Sequence, residues 1–249
     1  VHGIFDSGVG GLSVWREIKK AFPDTPLLYF ADQAHMPYGD LPLELSYRYV
    51  EFAIEKMIAL GARSISIACH TISTTHGEAL KNRFDVPISD IASTSLLTVE
   101  KRDKITVLGT KGTIQSNYYQ NRLGARLHFA AACPTLVPMI EKGEVQKNRI
   151  KKSLSMIPLG SEGVLLACTH YPFISEMIYE ILGGVETIDP APTFAKNLSL
   201  SPLNGNDLFF TTGSPKTFHR QATRLLKINL SFPFFVKALQ CRIKPALPV

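Results

Sequence analysis

The stretches "SISIACHTIS" (64–73) and "GVLLACTHYP" (163–172) stand ninety-nine positions apart, cysteine to cysteine, and share one layout. Each is an apolar run ending in Ala-Cys, followed by a His and a Thr in one order or the other. A short continuous apolar run reads as a strand buried on both faces. Similar runs are "HGIF" (2–5), "LLYFA" (27–31), "ITVLG" (105–109) and "DLFFTT" (207–212). Helical spacing separates them, clearest in "LSVWREIKKAF" (12–22) and across 43–60, where Tyr47, Val50, Ile54, Met57 and Ile58 share a face. Alternating strands and amphipathic helices predict a doubly wound α/β fold, its parallel sheets covered by helices on both faces. Ligands bind such sheets beyond the carboxyl ends of strands. Cys69 and Cys168 both stand at such ends.

The chain also echoes itself. "IFDSGVGGLS" follows the first strand and reaches Cys69 63 residues after Asp6; "VLGTKGTIQS" reaches Cys168 58 residues after Thr110. This predicts two pseudo-symmetric α/β domains facing each other across an active-site cleft. The first takes residues 1–92 plus 208–249 and carries Asp6, Tyr38 and Cys69. The second takes 93–207 and carries Cys168 and His170. The boundary falls near "IASTS" (91–95), and the segment from 208 onward is expected to return to the first domain.

Bulk composition bounds the partners. The 249 residues are 45% hydrophobic and 19% charged, as in a globular protein with ample core. No apolar run reaches the eighteen or so residues of a membrane span. "VHGIFDSGVGG" opens directly into a strand and a glycine turn, so no secretory leader is expected. Four cysteines (Cys69, Cys133, Cys168, Cys241) make no disulfide framework, and a reducing cytoplasm is the expected location. The net charge of +6 gathers at the C-terminus, with seven Lys/Arg and no Asp/Glu from 208 to 249. Lys216, Arg220, Arg224 and Lys227 fall on one helix face. With no base- or backbone-reading motif, a solvated surface is expected rather than a nucleic-acid site.

Three chemistries suit the Cys/His pairs. Two Cys and two His could hold tetrahedral zinc, but the adjacent Cys69 and His70 would have to turn inward together and no C-x2-C knuckle exists. "GVGGLS" with Asp32 could bind a nucleotide, but Ser13 occupies the third glycine position and Asp6 sets a carboxylate at the phosphate mouth. The third is proton transfer by two opposed thiols, the apparatus a racemase needs to take a proton from one face of a carbon and return one to the other. A thiol is mostly protonated at neutral pH and needs a tuning neighbour; Asp6 and His170 are the candidates. Cys69 and Cys168 as plain core residues would not explain His70, Thr71, Thr169 and His170 beside them. Cys133 and Cys241 lack such neighbours and read as structural.

"GIFDSGVGGLSVWREI", "YFADQAHMPYG", "GTKGTIQS", "LLACTHYP" and "FFTTGSPKTF" together resemble bacterial glutamate racemases, in order and across most of the chain. The resemblance implies a cofactor-independent, metal-free isomerase that interconverts L- and D-glutamate and supplies D-glutamate for peptidoglycan. It implies Cys69 and Cys168 as the catalytic pair, Cys168 acting on L-glutamate and Cys69 on D-glutamate, with Asp6 and His170 assisting. Asp6, Ser7, Tyr38, Gly39, His70, Thr71, Thr169 and His170 would contact the substrate, and Glu141 matches a further active-site acid. A homodimer is expected.

The chain departs from that family at several places. Ala-Cys-His-Thr replaces Ala-Cys-Asn-Thr, "FADQAHMPYG" carries Ala31 and Gln33, and "IDPAPTF" has Pro190. His70 opens a second reading, a racemase-like protein with low activity or altered amino-acid specificity, serving in binding or regulation. It also carries an expectation: an imidazole beside Cys69 titrates near pH 6.5 and gives turnover an acidic limb.

Overall fold

A computed structural model describes residues 1–227 and the strand backbone at 236–238. The expectations for Cys241 and for the basic tail beyond 238 fall outside the described residues. The chain begins with β1 (His2–Asp6), α1 (Leu12–Ala21), β2 (Leu27–Ala31), α2 (Leu43–Ala59), β3 (Ser64–Ile67), α3 (His70–Arg83), β4 (Ile88–Asp90) and α4 (Ile91–Thr98). A second series follows: β5 (Ile105–Gly109), α5 (Lys111–Gln115), α6 (Tyr118–Leu123), β6 (Leu127–Ala132), α7 (Leu136–Lys142), α8 (Lys147–Leu154), β7 (Gly163–Ala167), α9 (Ser175–Ile181), β8 (Thr187–Ile188) and α10 (Ala191–Lys196). The chain then adds β9 (Leu208–Thr211), α11 (Pro215–Leu226) and β10 (Val236–Ala238).

Two parallel sheets result. One has the order β10-β9-β2-β1-β3-β4 and the other β6-β5-β7-β8. The echo in the sequence is thus an echo of topology, because β2-β1-β3-β4 and β6-β5-β7-β8 are the same arrangement. Cys69 follows the third strand of the first series and Cys168 the third strand of the second.

Both sheets are sandwiched, as parallel sheets must be. β1, β2, β5 and β7 are buried at every position. One face of the first sheet packs Ile4, Tyr29 and Phe209 against Leu12 and Ile18 of α1 and Phe218 of α11. The other packs Phe5, Phe30 and Ile67 against Val50, Ile54 and Met57 of α2. The second sheet is lined by Leu108, Leu166, Leu136 and Ile178 on one side and Val107, Leu165 and Tyr119 on the other. Ile91 lies in a first-sheet cluster and its neighbour Ala92 in a second-sheet cluster, so α4 bridges the two. Phe194 of α10 also packs into the first sheet's core. Lys216, Arg220, Arg224 and Lys227 are exposed. Arg224 nevertheless donates from Nη2 to the carbonyls of Ile140 and Glu141, closing the C-terminal end of α7.

The loop after β1 packs directly against the second series. A Cβ on Gly10 would fall under 3.0 Å from the His170 ring and the Thr169 hydroxyl. Gly77, inside α3, is different: a Cβ there meets nothing nearer than Asp90 at 3.7 Å. Gly10→Ala is therefore expected to lower stability by about 1–3 kcal/mol, the usual result of forcing a methyl into a packed seam. Gly77→Ala should raise it by about 0.5–1 kcal/mol through helix propensity. Urea denaturation of both variants against wild type checks the contrast.

Candidate active site

The carboxyl ends of both sheets meet, and there Ser7, Met36, Pro37, Tyr38, Gly39, Cys69, His70, Thr71, Thr110, Val137, Cys168, Thr169 and His170 line a narrow cavity. Nearly all the residues expected from the sequence are thus brought together. Asp6 and Glu141 stand behind the wall and reach the cavity through their neighbours. Met36, Pro37, Thr110 and Val137 were not expected. Thr110 had a signal, since it answers Asp6 in the second glycine loop; Val137 had none.

Cys69 caps the start of α3, and its Sγ donates to Ser7 Oγ at 3.7 Å. Thr71 Oγ1 lies 2.8 Å from Thr110 Oγ1, across to the second sheet's loop. Burial pushes the Cys69 thiol up to about 12, and the nearby charge of Asp6 adds to the rise. Asp6 thus does not tune Cys69 toward a thiolate in this state; it holds it as a thiol.

Asp6 is fully buried, and its own value is raised by that burial. The positive His170 and donors from Gly8 N, Gly11 N and the Thr169 hydroxyl partly offset it. Two are measured directly, Gly8 N to Oδ1 at 3.0 Å and Thr169 Oγ1 to Oδ2 at 3.1 Å. Burial, Asp6 and the absence of space at Gly8, Gly10 and Gly11 leave this loop no room for a phosphate. Asp32 is likewise engaged: it accepts from the Tyr38 hydroxyl, from Thr212 and from His35 Nδ1 at 2.8 Å, which anchors the loop bearing Tyr38 and Gly39.

On the opposite wall, His170 Nδ1 lies 3.8 Å from Cys168 Sγ and Nε2 lies 2.7 Å from Glu141 Oε1. Burial alone would lower the His170 value, but its hydrogen bonds to Cys168 and Glu141 and the Glu141 charge raise it well above that of a free imidazole. A cation therefore sits between a carboxylate and a sulfur. Among the described residues, no group of His, Cys, Asp and Glu side chains is placed to hold a metal ion, so the two Cys/His pairs do not converge as four zinc ligands.

His70 overturns its expectation. Its Nδ1 lies 2.9 Å from the Tyr119 hydroxyl, the ring is 2% exposed, and burial lowers its value to about 3. It stays neutral throughout the range in which an exposed imidazole titrates.

Residues 13–198 match the Asp/Glu/Hydantoin racemase family. The chain is 32% identical over 229 residues to a glutamate racemase of Persephonella marina, covering 86% of this chain and 88% of that one. It is 34% identical over 248 residues to one of Corynebacterium diphtheriae, covering 90% and 93%. The chain belongs to the Asp/Glu/hydantoin racemase family, among its glutamate racemases. Its fold agrees. The glutamate racemase of Thermus thermophilus in complex with beta-chloro-D-alanine superposes with a TM-score of 0.86 at 29% identity, covering 96% of each chain. That of Francisella tularensis in complex with D-glutamate gives 0.82 at 26% identity, covering 96% and 97%. As in the family at large, the enzyme is an isomerase, and no described helix is long and apolar enough to cross a membrane.

A buried neutral His70 makes two predictions. Turnover of wild type and His70→Asn should show acidic limbs of the same shape between pH 5.5 and 9, because position 70 carries no charge in either. Stability should differ. Below pH 6.5 the unfolded chain binds a proton at His70 that the folded chain refuses until about pH 3, so stability falls as pH drops through that window. At pH 5.5 this costs about 1.4 kcal/mol, and urea titrations at pH 5.5 and 7.5 should show that cost removed in His70→Asn. A limb near pH 6.5 that vanishes in the variant would mean that the ring is solvated.

Proposed function

We propose that the protein interconverts L- and D-glutamate by two-base proton transfer between Cys168 and Cys69. The observation that carries this reading is the pair of thiols delivered to one cavity from topologically equivalent strand ends. In the L-to-D direction the Cys168 thiolate, stabilised by the adjacent His170 cation, takes the Cα proton. The Cys69 thiol then gives its proton to the opposite face, leaving a Cys69 thiolate and a Cys168 thiol. The reverse direction exchanges the roles. Glu141 holds the His170 charge, and Asp6 is the buried acceptor behind Ser7 and Thr169.

The substrate's carboxylates suit the hydroxyls of Ser7, Thr71 and Thr169 and the backbone N–H groups at the start of α3. Tyr38 and Gly39 form the wall across from Thr110. No cofactor enters the scheme. We assign the reaction to a reducing cytoplasm, where both thiols stay free, with D-glutamate supplied to peptidoglycan and the protein acting as a homodimer. The reading of low activity or altered specificity rests on His70 alone.

Each single cysteine variant tests the mechanism. Cys69→Ala and Cys168→Ala should each lose racemisation by at least about 10²–10⁴-fold, because the missing base has no substitute. In deuterated water, Cys69→Ala should still exchange the Cα hydrogen of L-glutamate without inversion, and Cys168→Ala that of D-glutamate. Mass spectrometry with chiral chromatography reads both. Full racemase activity in either variant would remove the two-base scheme.

A further inference from the structure

Glu141 holds His170, but its own carboxylate has few handles. Oε1 accepts from His170 Nε2 at 2.7 Å and from Val9 N at 3.4 Å, while Oε2 is sealed with no hydrogen-bond partner among the described residues. The direction of the carboxylate is therefore set largely by where α7 carries its backbone. Glu141 stands in the last turn of α7, where carbonyls have no donor within the helix. Gly143 N and Glu144 N turn back to Ile140 and Met139, which leaves the Glu141 carbonyl to donors from outside.

One of those donors is buried. Gln221 of α11 gives Nε2 to the Glu141 carbonyl at 3.0 Å, across eighty positions of sequence. Its Oε1 accepts from Gln33 Nε2 at 2.8 Å, and Gln33 Oε1 accepts from the Thr211 hydroxyl at 3.0 Å. The Thr211 oxygen in turn accepts from Gly213 N at 3.0 Å. The polarity of this relay is fixed by its ends. A carbonyl can only accept, so Gln221 must turn its NH2 to Glu141 and its oxygen to Gln33. Gln33 must then present its NH2 and keep its oxygen for Thr211, whose hydroxyl hydrogen is free to be given. Gln221 is 9% exposed, whereas Arg224, the other side-chain donor to that carbonyl, lies at the surface. The relay joins three pieces packed on the first sheet, the loops after β2 and β9 and the helix α11, to a helix of the second. α11 is itself pinned, because Phe218 and Ala222 pack in the first sheet's core.

We propose that Gln221, oriented by Gln33, is a positioning residue for the Cys168 half of the site: it fixes the backbone of Glu141, which keeps the carboxylate on His170 and His170 beside Cys168. This rests on the assignment of Cys168 and Cys69 as opposed bases. Cys69 Sγ is bonded to Ser7 and takes no part in the relay. Loosening the relay therefore acts on one thiol and spares the other.

The test uses Gln221→Met in the full chain, which keeps the length of the side chain and removes both hydrogen bonds. Combined with Cys69→Ala, it should slow Cα exchange of L-glutamate in deuterated water about fivefold, as for one lost hydrogen bond. Combined with Cys168→Ala, it should change exchange of D-glutamate by less than about twofold. Equal slowing in both backgrounds, which a merely structural role would give, or no slowing in either, would overturn the proposal. Gln33→Met leaves Gln221 present but unoriented and should slow L-glutamate exchange about threefold; it decides the matter if Gln221→Met does not fold. A second measurement is independent of turnover. In ¹⁵N spectra of the histidine-labelled protein, Gln221→Met should lower the His170 titration midpoint by about 0.7 pH unit, the same fivefold read as a proton affinity. An unmoved midpoint would overturn the proposal equally. If Cys69→Ala exchanges no L-glutamate, the two-base assignment fails, while the midpoint still decides the relay.

Discussion

Two buried carboxylates hold the site together, and each takes a donor from the other half of the chain. Asp6, at the end of β1, accepts the Thr169 hydroxyl from the loop after β7. Glu141, on α7, accepts from Val9 N in the loop after β1 at 3.4 Å and from His170. A buried ionised group without partners costs several kcal/mol, and removing one partner of a buried pair costs about 3–5 kcal/mol. The two series therefore cannot separate without exposing both carboxylates together. Gly8 and Gly10 matter for the same reason: a side chain at either would push Glu141 or His170 away from its donors. The geometry of the thiols is thus a consequence of the seam, not of either sheet alone.

The seam is pseudo-symmetric but its charges are not. Cys69 faces a carboxylate and a hydroxyl, whereas Cys168 faces a cation. Enantiomers have equal free energies in water, so the equilibrium constant is one and kcat/KM is equal in the two directions. Asymmetry between the thiols can then appear only as compensating differences in kcat and KM. In the proposed two-base scheme, L-glutamate requires Cys168 as the base and Cys69 as the acid. In that scheme each L-to-D turnover leaves a Cys69 thiolate, and returning a proton to it relieves the repulsion from Asp6. That repulsion also makes the thiolate short-lived.

Much of this was legible in the sequence because parallel strands buried on both faces leave an unbroken apolar run. β1, β2, β3, β5, β7 and β9 were read that way, within a residue or two at each end. β4 and β8 were not: three and two residues long, they carry no periodicity. β6 is only partly buried along its length and reads "LHFAAA", with His128 interrupting it and no β-branched residue. The thiols and their flanking residues were legible because polar side chains have no use at the end of a core strand. The charge of His70 was misread for a definite reason. It depends on burial, which closes over the ring only when Tyr119 and its neighbours pack there in the folded chain. Position in sequence shows which group is present, whereas burial decides whether it ionises.

Burial also bears on the hardest step, the removal of a proton from a carbon that holds it tightly. Cys69 and Cys168 are 5% and 4% exposed, and water is largely excluded from both. Desolvation makes a thiolate rare, yet a conjugate acid near 12 makes that thiolate a stronger base than one in water. Such a base lies closer to the carbon acid it must deprotonate. On the Cys168 side the His170 ring lies 3.8 Å from the sulfur and is itself held by Glu141. On the Cys69 side nothing comparable is present among the described residues, and the charge of Asp6 adds to the burial that keeps this thiol protonated. Under the proposed scheme a substrate ammonium in the cavity would offset that charge, which would tie ionisation of the second base to occupancy of the cavity.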